Sequence, residues 1–312
     1  MEILYVSRSK TGRPHPFIIE QADVLCKDYG HSIHHYLIKK GGLWGYLLAS
    51  YQIYIHTKKV KTDIIHVHYG LSAIAVIISK LLSLGKIKVV ITFHGSDINK
   101  SSERIFSLFA AQYSAHNILV SNKMSRYFRK NYSIIPCGID TKIGLNFREM
   151  TRALKGWGND DFIILFSSSF NRREKDPEFA FEVVNTFAQE TQKQVKFLEL
   201  KGYHREEITQ LMQAADVMIM CSQIEGSPQV VKESILNSLP VISNDVGDVK
   251  FICSEVDNCF IIPKNVESYV QVLHYLSEKK LRVQNRSPIL EKFDNQQIAK
   301  KINKIYDLVA RI

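Results

Sequence analysis

Residues 217–245 read VMIMCSQIEGSPQVVKESILNSLPVISND, and the reading of this stretch decides the fold. Val217–Cys221 is a continuous apolar run of the length of a buried parallel strand. A polar turn follows, in which Ser227 stands where a helix N-cap belongs and Pro228 at the first helical position. The helix is expected to reach about Ser238, where Leu239-Pro240 stops it, and Val241–Ser243 is a second buried strand. Such a strand–helix–strand unit presents unpaired N–H groups and positive potential at its turn, which suits a phosphate. Two carboxylates bracket the turn: Glu225 just before the helix and Glu233 inside it, with seven residues between them. Helical side chains lean toward the N-terminus, so Glu233 points back to the same mouth. Gln229, Glu233 and Asn237 form a polar stripe at four-residue spacing, with Val231 and Ile235 on another side. Turn and stripe together point to a ligand site.

The chain has 312 residues, enough for two domains, with a globular composition and no repeat of solenoid period. Five cysteines (Cys26, Cys137, Cys221, Cys253, Cys259) form no CxxC pair, which predicts reduced thiols in a cytoplasm. Strand-like Glu2–Val6 starts at once, so no secretory leader is expected. The longest apolar-rich stretch, Leu43–Ile55, is too short and too mixed to span a bilayer. Charge is lopsided: residues 1–150 hold 20 Lys and Arg against 9 Asp and Glu, and residues 151–312 hold 21 against 22. The basic half suggests an acidic partner, such as anionic lipid or a phosphorylated substrate. Nucleic acid is set aside, because no RNP, KH, zinc-finger or helix-turn-helix signature accompanies the charge.

Upstream of the central stretch, Glu2–Val6, the basic loop Ser7–Pro16, helical spacing over Phe17–Asp28 and a strand at Ser32–Ile38 make the opening of a doubly wound sheet. The G-x-G-x-x-G fingerprint is absent, which counts against a dehydrogenase. Lys39 and Lys40 lead into LWGYLLASYQIYIHT, closed by Lys58, Lys59 and Lys61. Basic flanks around Trp44, Tyr46, Tyr51 and Tyr54 fit an interfacial helix resting on anionic lipid, or an ordinary packed helix. Ile64–His68 and Lys88–Thr92 are strands followed by polar residues, including His94 and Asp97, where α/β sheets bind ligands. Met124–Lys130 is expected to be a basic helix. Phe162–Phe166 opens the second domain, and Arg172, Arg173 and Lys175 form a cationic loop after its end. Fixed cations there suit a pyrophosphate and the charge growing on it as it leaves. The terminal segment is an amphipathic helix with Ile298, Ile302, Ile305 and Leu308 on one face. No DxD motif or His/Cys spacing of ligand type appears, so no metal site is expected.

EGSPQVVKE (225–233) resembles the Glu–seven–Glu motif of retaining family-4 glycosyltransferases, and LPVISNDVGDV resembles its continuation. DIIHVHYG, TFHGSD and IIPCGIDT resemble segments of that family's N-terminal domain. The resemblance implies an α/β GT-B fold: two Rossmann-like doubly wound domains facing a cleft. It implies an acceptor-side domain at 1–150, a nucleotide-sugar-binding domain at 151–295, and a terminal helix at 296–312 packing back on the first. Glu225 would lie by the sugar, Glu233 would hold the ribose hydroxyls, and Gly226, Ser227, Pro228, Gln229 and Val230 would meet sugar and phosphate. His94 would face the donor sugar, Lys175 with Arg172 or Arg173 would hold the diphosphate, and the backbone near Gly202 would contact the base. Gly12 would stand on the acceptor side, and His68 and Asp97 would take a supporting or acceptor-side role. His94, Glu225 and Lys175 form the implied catalytic group. The chain departs from the family pattern in three places: Gly12 is the lone glycine of the first loop, Ser169 and Phe170 stand where an Arg is expected, and Cys137 replaces an Asn.

The implied activity is metal-independent, retaining transfer from a nucleotide sugar to a glycan or lipid-linked acceptor, as in surface polysaccharide or glycolipid biosynthesis. No cofactor beyond the nucleotide sugar as co-substrate is implied. The implied place is the cytoplasm, peripherally on the inner face of the membrane. Two other readings are a non-catalytic nucleotide-sugar- or glycan-binding protein on the same scaffold, and a nucleotide-sugar epimerase.

Overall fold

Short apolar runs become fully buried strands only when helices cover both faces of the sheet they form. The computed structural model describes residues 1–9 and 11–311, Leu43 by its backbone only. It divides into one unit of Met1–Ile139 with Phe293–Ile312 and a second of Asp140–Lys292. The first contains β1 (Glu2–Arg8), α1 (Pro16–Tyr29), β2 (Ser32–Ile38), α2 (Gly42–Lys59), β3 (Ile64–His68), α3 (Gly70–Leu82), β4 (Val89–Phe93), α4 (Ser96–Asn99), α5 (Ser101–Gln112), β5 (His116–Leu119) and β6 (Tyr132–Ile134). The second contains α6 (Arg148–Leu154), β7 (Asp161–Phe166), α7 (Pro177–Glu190), β8 (Gln194–Glu199), α8 (Arg205–Ala214), β9 (Val217–Met220), α9 (Gln229–Leu236), β10 (Val241–Ser243), α10 (Val249–Ile252), β11 (Cys259–Ile261) and α11 (Val266–Lys279). Then α12 (Ser287–Phe293) and α13 (Asn295–Arg311) return the chain to the first unit.

Both sheets are parallel throughout, in the orders β2-β1-β3-β4-β5-β6 and β11-β10-β9-β7-β8. Each therefore has one place where the winding reverses: between β1 and β3 in the first unit, and between β7 and β9 in the second. There the crossover helices leave to opposite faces, and the carboxyl ends of the two strands open a crevice.

The first unit's sheet is covered on one face by Ala49 and Ile53 of α2, Ala73–Ile77 of α3 and Ala110 of α5. On the other lie Ile18, Ala22 and Leu25 of α1 with Ile298, Ala299, Ile302, Ile305, Tyr306 and Val309 of α13. Leu308, expected on the apolar face of α13, is 52% exposed, while Tyr306 and Val309 are buried. A 3.6-residue period over seventeen residues turns the stripe past position 308. Residues 140–150 pass to the second unit, since α6 packs on α8 and the Arg148 guanidinium donates to the carbonyls of Gln213, Ala214 and Ala215. The expected basic helix at 124–130 is a 3-10 turn over Asn122–Tyr127, capped by the Ser121 hydroxyl, which accepts from Lys123 N–H at 3.2 Å.

One polar network lies inside the first unit's core. Tyr306 of α13 and Tyr5 of β1 share a hydrogen bond of 2.9 Å, and Gln21 donates to the Tyr5 hydroxyl at 2.8 Å. His66 meets Tyr306 through Nδ1 at 2.5 Å and Thr92 through Nε2 at 2.7 Å. Burial, reinforced by nearby His94, pushes His66 down from 6.5 to about 3. The ring is thus neutral, with one nitrogen donating and the other accepting. Because the unfolded ring takes up its proton near 6.5 and the folded one only near 3, stability is full above that window and lost as pH falls through it. We expect a loss of up to about 1.4 kcal/mol per pH unit from this ring, read from urea midpoints at pH 7, 6 and 5. A flat profile would contradict a neutral His66.

Candidate active site

In the second unit, the loop after β7 and the turn after β9 meet at the switch point. The loop closes as a 3-10 turn over Arg173–Lys175, and Asp176 takes the left-handed conformation (φ 55°) as the N-cap of α7. Cys221 fastens this loop to the end of β9: its thiol donates to the carbonyls of Lys175 (3.3 Å) and Asp176 (3.2 Å), and burial pushes it up to about 12, keeping the proton on sulfur. The Lys175 ammonium then donates directly to Glu225 Oε1, with each side chain about a tenth exposed. A pair so placed is costly to break, about 3–5 kcal/mol, because the remaining charge stays buried. Arg172 is tied to Glu174 at 2.7 Å, while Arg173 is exposed and forms no ion pair among the described residues.

The turn itself is shaped from behind. Gly247 has φ 53°, and a Cβ there would come within 2.8 Å of Glu225 Cβ. Asp248 N–H donates to the Gly226 carbonyl at 2.9 Å. The expected cap needs correcting: Pro228 is the N-cap and α9 begins at Gln229, so the Ser227 hydroxyl caps nothing. Instead Ser227 Oγ is buried without a partner among the described residues, as are Ser167 Oγ, Ser222 Oγ and Asn244 Oδ1, all at the carboxyl ends of β7, β9 and β10 or in the turn. Buried polar atoms in native proteins are overwhelmingly paired, so four orphans along one sheet edge mark a surface shaped for a ligand. Lys232, fully buried on α9, donates to Gln229 Oε1 at 2.8 Å and adds positive potential behind the turn. Glu233 faces Arg205 of α8 at 3.7 Å, and Gly202 turns the chain into that helix with φ 84°. Asn237, third of the polar stripe, is buried and accepts from Gln213 at 2.9 Å.

In the first unit, His94 follows β4 with its ring half-buried among Tyr69 (4.4 Å), Phe17 (5.0 Å) and His68 (5.3 Å). Its Nε2 lies 3.1 Å from His68 Nδ1 and its Nδ1 lies 3.5 Å from Cys137 Sγ. Of the supporting and acceptor-side roles expected for His68 and Asp97, the supporting one fits their burial. His68 is stacked between His66 and His94, and burial, then His66 and His35, holds its pKa well below the usual range. Asp97 accepts from the N–H groups of Gly70 (3.0 Å), His94 (3.1 Å) and Gly95 (2.9 Å), so its carboxylate shapes the loop that carries His94. Burial pushes it up to about 6 against the pull of those N–H groups. Gly12 sits exposed in the first loop with φ 79°.

Residues 10–143 match the family described as Glycosyltransferase Family 4, and residues 173–279 match Glycosyl transferases group 1. The chain belongs to this glycosyltransferase family. A protein named as a teichuronic acid biosynthesis glycosyltransferase, TuaC of Bacillus subtilis, is 24% identical over 281 residues, covering 80% of this chain and 71% of its own. The UDP-Gal:alpha-D-GlcNAc-diphosphoundecaprenol alpha-1,3-galactosyltransferase of Escherichia coli is 24% identical over 300 residues, covering 82% and 77%. In fold, the glycosyltransferase is similar to HepE of Anabaena, solved with UDP and glucose, at a TM-score of 0.73 and 15% identity over 98% of this chain and 99% of the other. Its two Rossmann-like parallel sheets are those of GT-B structures.

The glycosyltransferase thus brings Lys175, Glu225 and the 226–230 turn together, and leaves His68 and Asp97 as supports of His94. Sequence reasoning missed Gly247, Cys221 and Lys232 as shapers of the turn. For Gly247 a signal existed, a glycine inside DVGDV, but the close approach that requires it is visible only in three dimensions. Among the described residues no group of three or more His, Cys, Asp or Glu is placed to hold a metal ion. Gly247→Ala should displace Glu225 and lower transfer about tenfold or more, while the thermal midpoint falls only by a few degrees' worth of backbone strain. A normal rate with a lowered midpoint would mean that Gly247 serves the fold alone.

Proposed function

We propose that the glycosyltransferase moves a sugar, with retention, from a nucleotide sugar bound by the second unit to a lipid-linked glycan acceptor bound by the first. The observation that carries the donor side is the buried Lys175–Glu225 pair beside the orphaned Ser222, Ser227 and Asn244 atoms at the β7/β9 switch point. Lys175 and Arg173 meet the diphosphate with the first amides of α9, and together they balance the charge that grows on it as it leaves. This supports leaving-group stabilisation by protein cations, and transfer is expected to persist in chelator. Glu233 takes the ribose hydroxyls, the backbone at Gly202 the base, and His94 the sugar.

Retention follows from front-face attack. The bond from the anomeric carbon to the phosphate oxygen breaks, and the acceptor oxygen bonds to that carbon on the same face. The acceptor's proton passes to the departing phosphate. Glu225 stabilises positive charge at the anomeric carbon and is held by Lys175, which makes it a poor nucleophile; this favours front-face attack over double displacement. Glu225→Gln keeps the contact to Lys175 and should lower kcat about a hundredfold or more, and the anomeric coupling in the product's NMR spectrum reads the stereochemistry. Undiminished transfer in Glu225→Gln, or an inverted product, would overturn this assignment.

The acceptor side includes a membrane surface. No helix among the described residues is long and apolar enough to cross a bilayer. Yet α2 exposes Trp44, Leu47, Leu48 and Tyr51, and α5 exposes Ile105, Phe106 and Phe109, on the same face of the sheet. Exposed lysines flank them at 39, 40, 58, 59, 61 and 100. An apolar stripe with cations at its ends fits a helix layer lying on anionic lipid, and the five free cysteines fit a cytoplasmic face. Sedimentation should show binding to vesicles containing phosphatidylglycerol that Phe106→Ser/Phe109→Ser abolishes. Equal binding by the double variant would remove the membrane from the proposal.

A further inference from the structure

The winding of the first unit reverses between β1 and β3, and a cavity of about 280 Å³ opens at that point. It is lined by Arg8, Tyr46, Tyr69, Leu71, Ser72 and Glu103. Arg8 is the last residue of β1, and Tyr69 is the residue directly after β3. Leu71 and Ser72 lie in the first turn of α3, Tyr46 in α2 and Glu103 in the first turn of α5. This is the position that corresponds, in the first sheet, to the Lys175–Glu225 site in the second. Of the six residues the sequence singles out only Tyr46, and that as part of an interfacial helix and not of a pocket.

Three features show that this wall is shaped for an occupant. The Tyr46 hydroxyl is buried and has no hydrogen-bond partner among the described residues. Tyr69 holds φ 75° and ψ 134°, a conformation that a bulky residue adopts only when its surroundings impose it, and its ring packs on His94 at 4.4 Å. Arg8 is exposed, and its side chain forms no ion pair or hydrogen bond among the described residues; its guanidinium lies over Gly41, where a Cβ would come within 2.7 Å of Nη2. The one anion in the wall, Glu103, is partly balanced by Lys100 at 3.7 Å. The unit as a whole carries 22 Lys and Arg against 9 Asp and Glu.

We infer that this pocket binds the anionic head of the acceptor, a single sugar bearing a phosphate or diphosphate. The inference rests on the reading above that the first unit holds the acceptor. Arg8 offers a planar fork to phosphate oxygens. Glu103 accepts from a sugar hydroxyl, and the Tyr46 hydroxyl gains from the ligand the partner it lacks. Tyr46, Tyr69 and Leu71 offer the apolar surface that the C–H face of a pyranose needs. The volume falls just below the usual range for ligand sites, about 300–1,000 Å³, which is room for one sugar head. Tyr69 sets that head one ring away from His94. On the same helices the neighbours of the lining residues are Trp44, Leu47 and Leu48 on α2 and Ile105 and Phe106 on α5, all exposed, so a lipid tail leaving the pocket meets apolar surface.

Two probes distinguish a lipid-linked from a soluble source of this head: a hexose 1-phosphate, and the same hexose on farnesyl diphosphate in detergent micelles. Titration calorimetry should show binding to the wild type, and Arg8→Ala should weaken it about tenfold or more. Tyr46→Phe should weaken it about threefold, with a thermal midpoint that is unchanged or raised, since the hydroxyl it removes has no partner among the described residues. A hydroxyl that served only the fold would give the opposite pair of results. Tighter binding of the farnesyl probe assigns the pocket to a lipid-linked head, and equal binding to a free sugar phosphate. Failure of both probes to bind the wild type, or equal binding by wild type, Arg8→Ala and Tyr46→Phe, overturns the assignment. A parallel titration with UDP reads the donor side alone, so a failure there falls on the proposed function and not on this pocket.

Discussion

Parallel strands cannot be joined by a tight turn, and this constraint arranges everything else in the molecule. Each strand must be followed by a crossover that returns the chain to the same edge, and the crossovers here are helices. Where the strand order reverses, consecutive helices leave to opposite faces and the sheet edge is uncovered. The chain does this twice, between β1 and β3 and between β7 and β9. The orphaned Ser167, Ser222, Ser227 and Asn244 atoms and the Lys175–Glu225 pair lie at or beside the second of these edges, and the strained Tyr69 and the Arg8 cavity at the first. Away from these edges the inner strand β4 is buried along its whole length.

At the second edge, charge is kept in place by backbone geometry more than by side-chain packing. The cationic loop is held to β9 by Cys221 and by Gln223 N–H, which donates to the Glu174 carbonyl at 2.9 Å. The glutamate turn is held by the close approach of Gly247. Lys175 and Glu225 therefore meet with little freedom to relax, and electrostatic groups fixed in this way act on a developing charge without reorganising. The same rigidity makes the turn sensitive to a single added methyl group at position 247.

The first edge uses buried polar groups differently. Asp97 spends its carboxylate on three backbone N–H groups, and His66 and His68 are kept neutral by burial. These residues resemble catalytic groups in a sequence, since a histidine or aspartate after a strand end has the right type and the right place. Their side chains point into the sheet's interior, where they position His94 and fasten α13 through Tyr306.

Much of this could be read directly from the residues. Apolar-rich runs at 64–68, 88–92, 162–166 and 217–221 specify buried parallel strands, and carboxylates at 225 and 233 around a helix start specify a ligand turn, because both depend on local period and spacing. The loop cations were legible as a group, but not which of them is free: Arg172 is lost to Glu174 only once the 3-10 turn brings the two together. The choice between a supporting and an acceptor-side role for His68 and Asp97 was not legible, because burial depends on what packs above a residue and not on its neighbours in sequence. Nor was the Arg8 cavity, whose walls come from β1, α2, the β3 end, α3 and α5. The sequence alone determined the parallel α/β class and the pair of carboxylates, which short-range periodicity encodes. Only the tertiary structure decided which polar groups face a ligand and which hold the fold, because that choice is made by contacts between residues far apart in the chain.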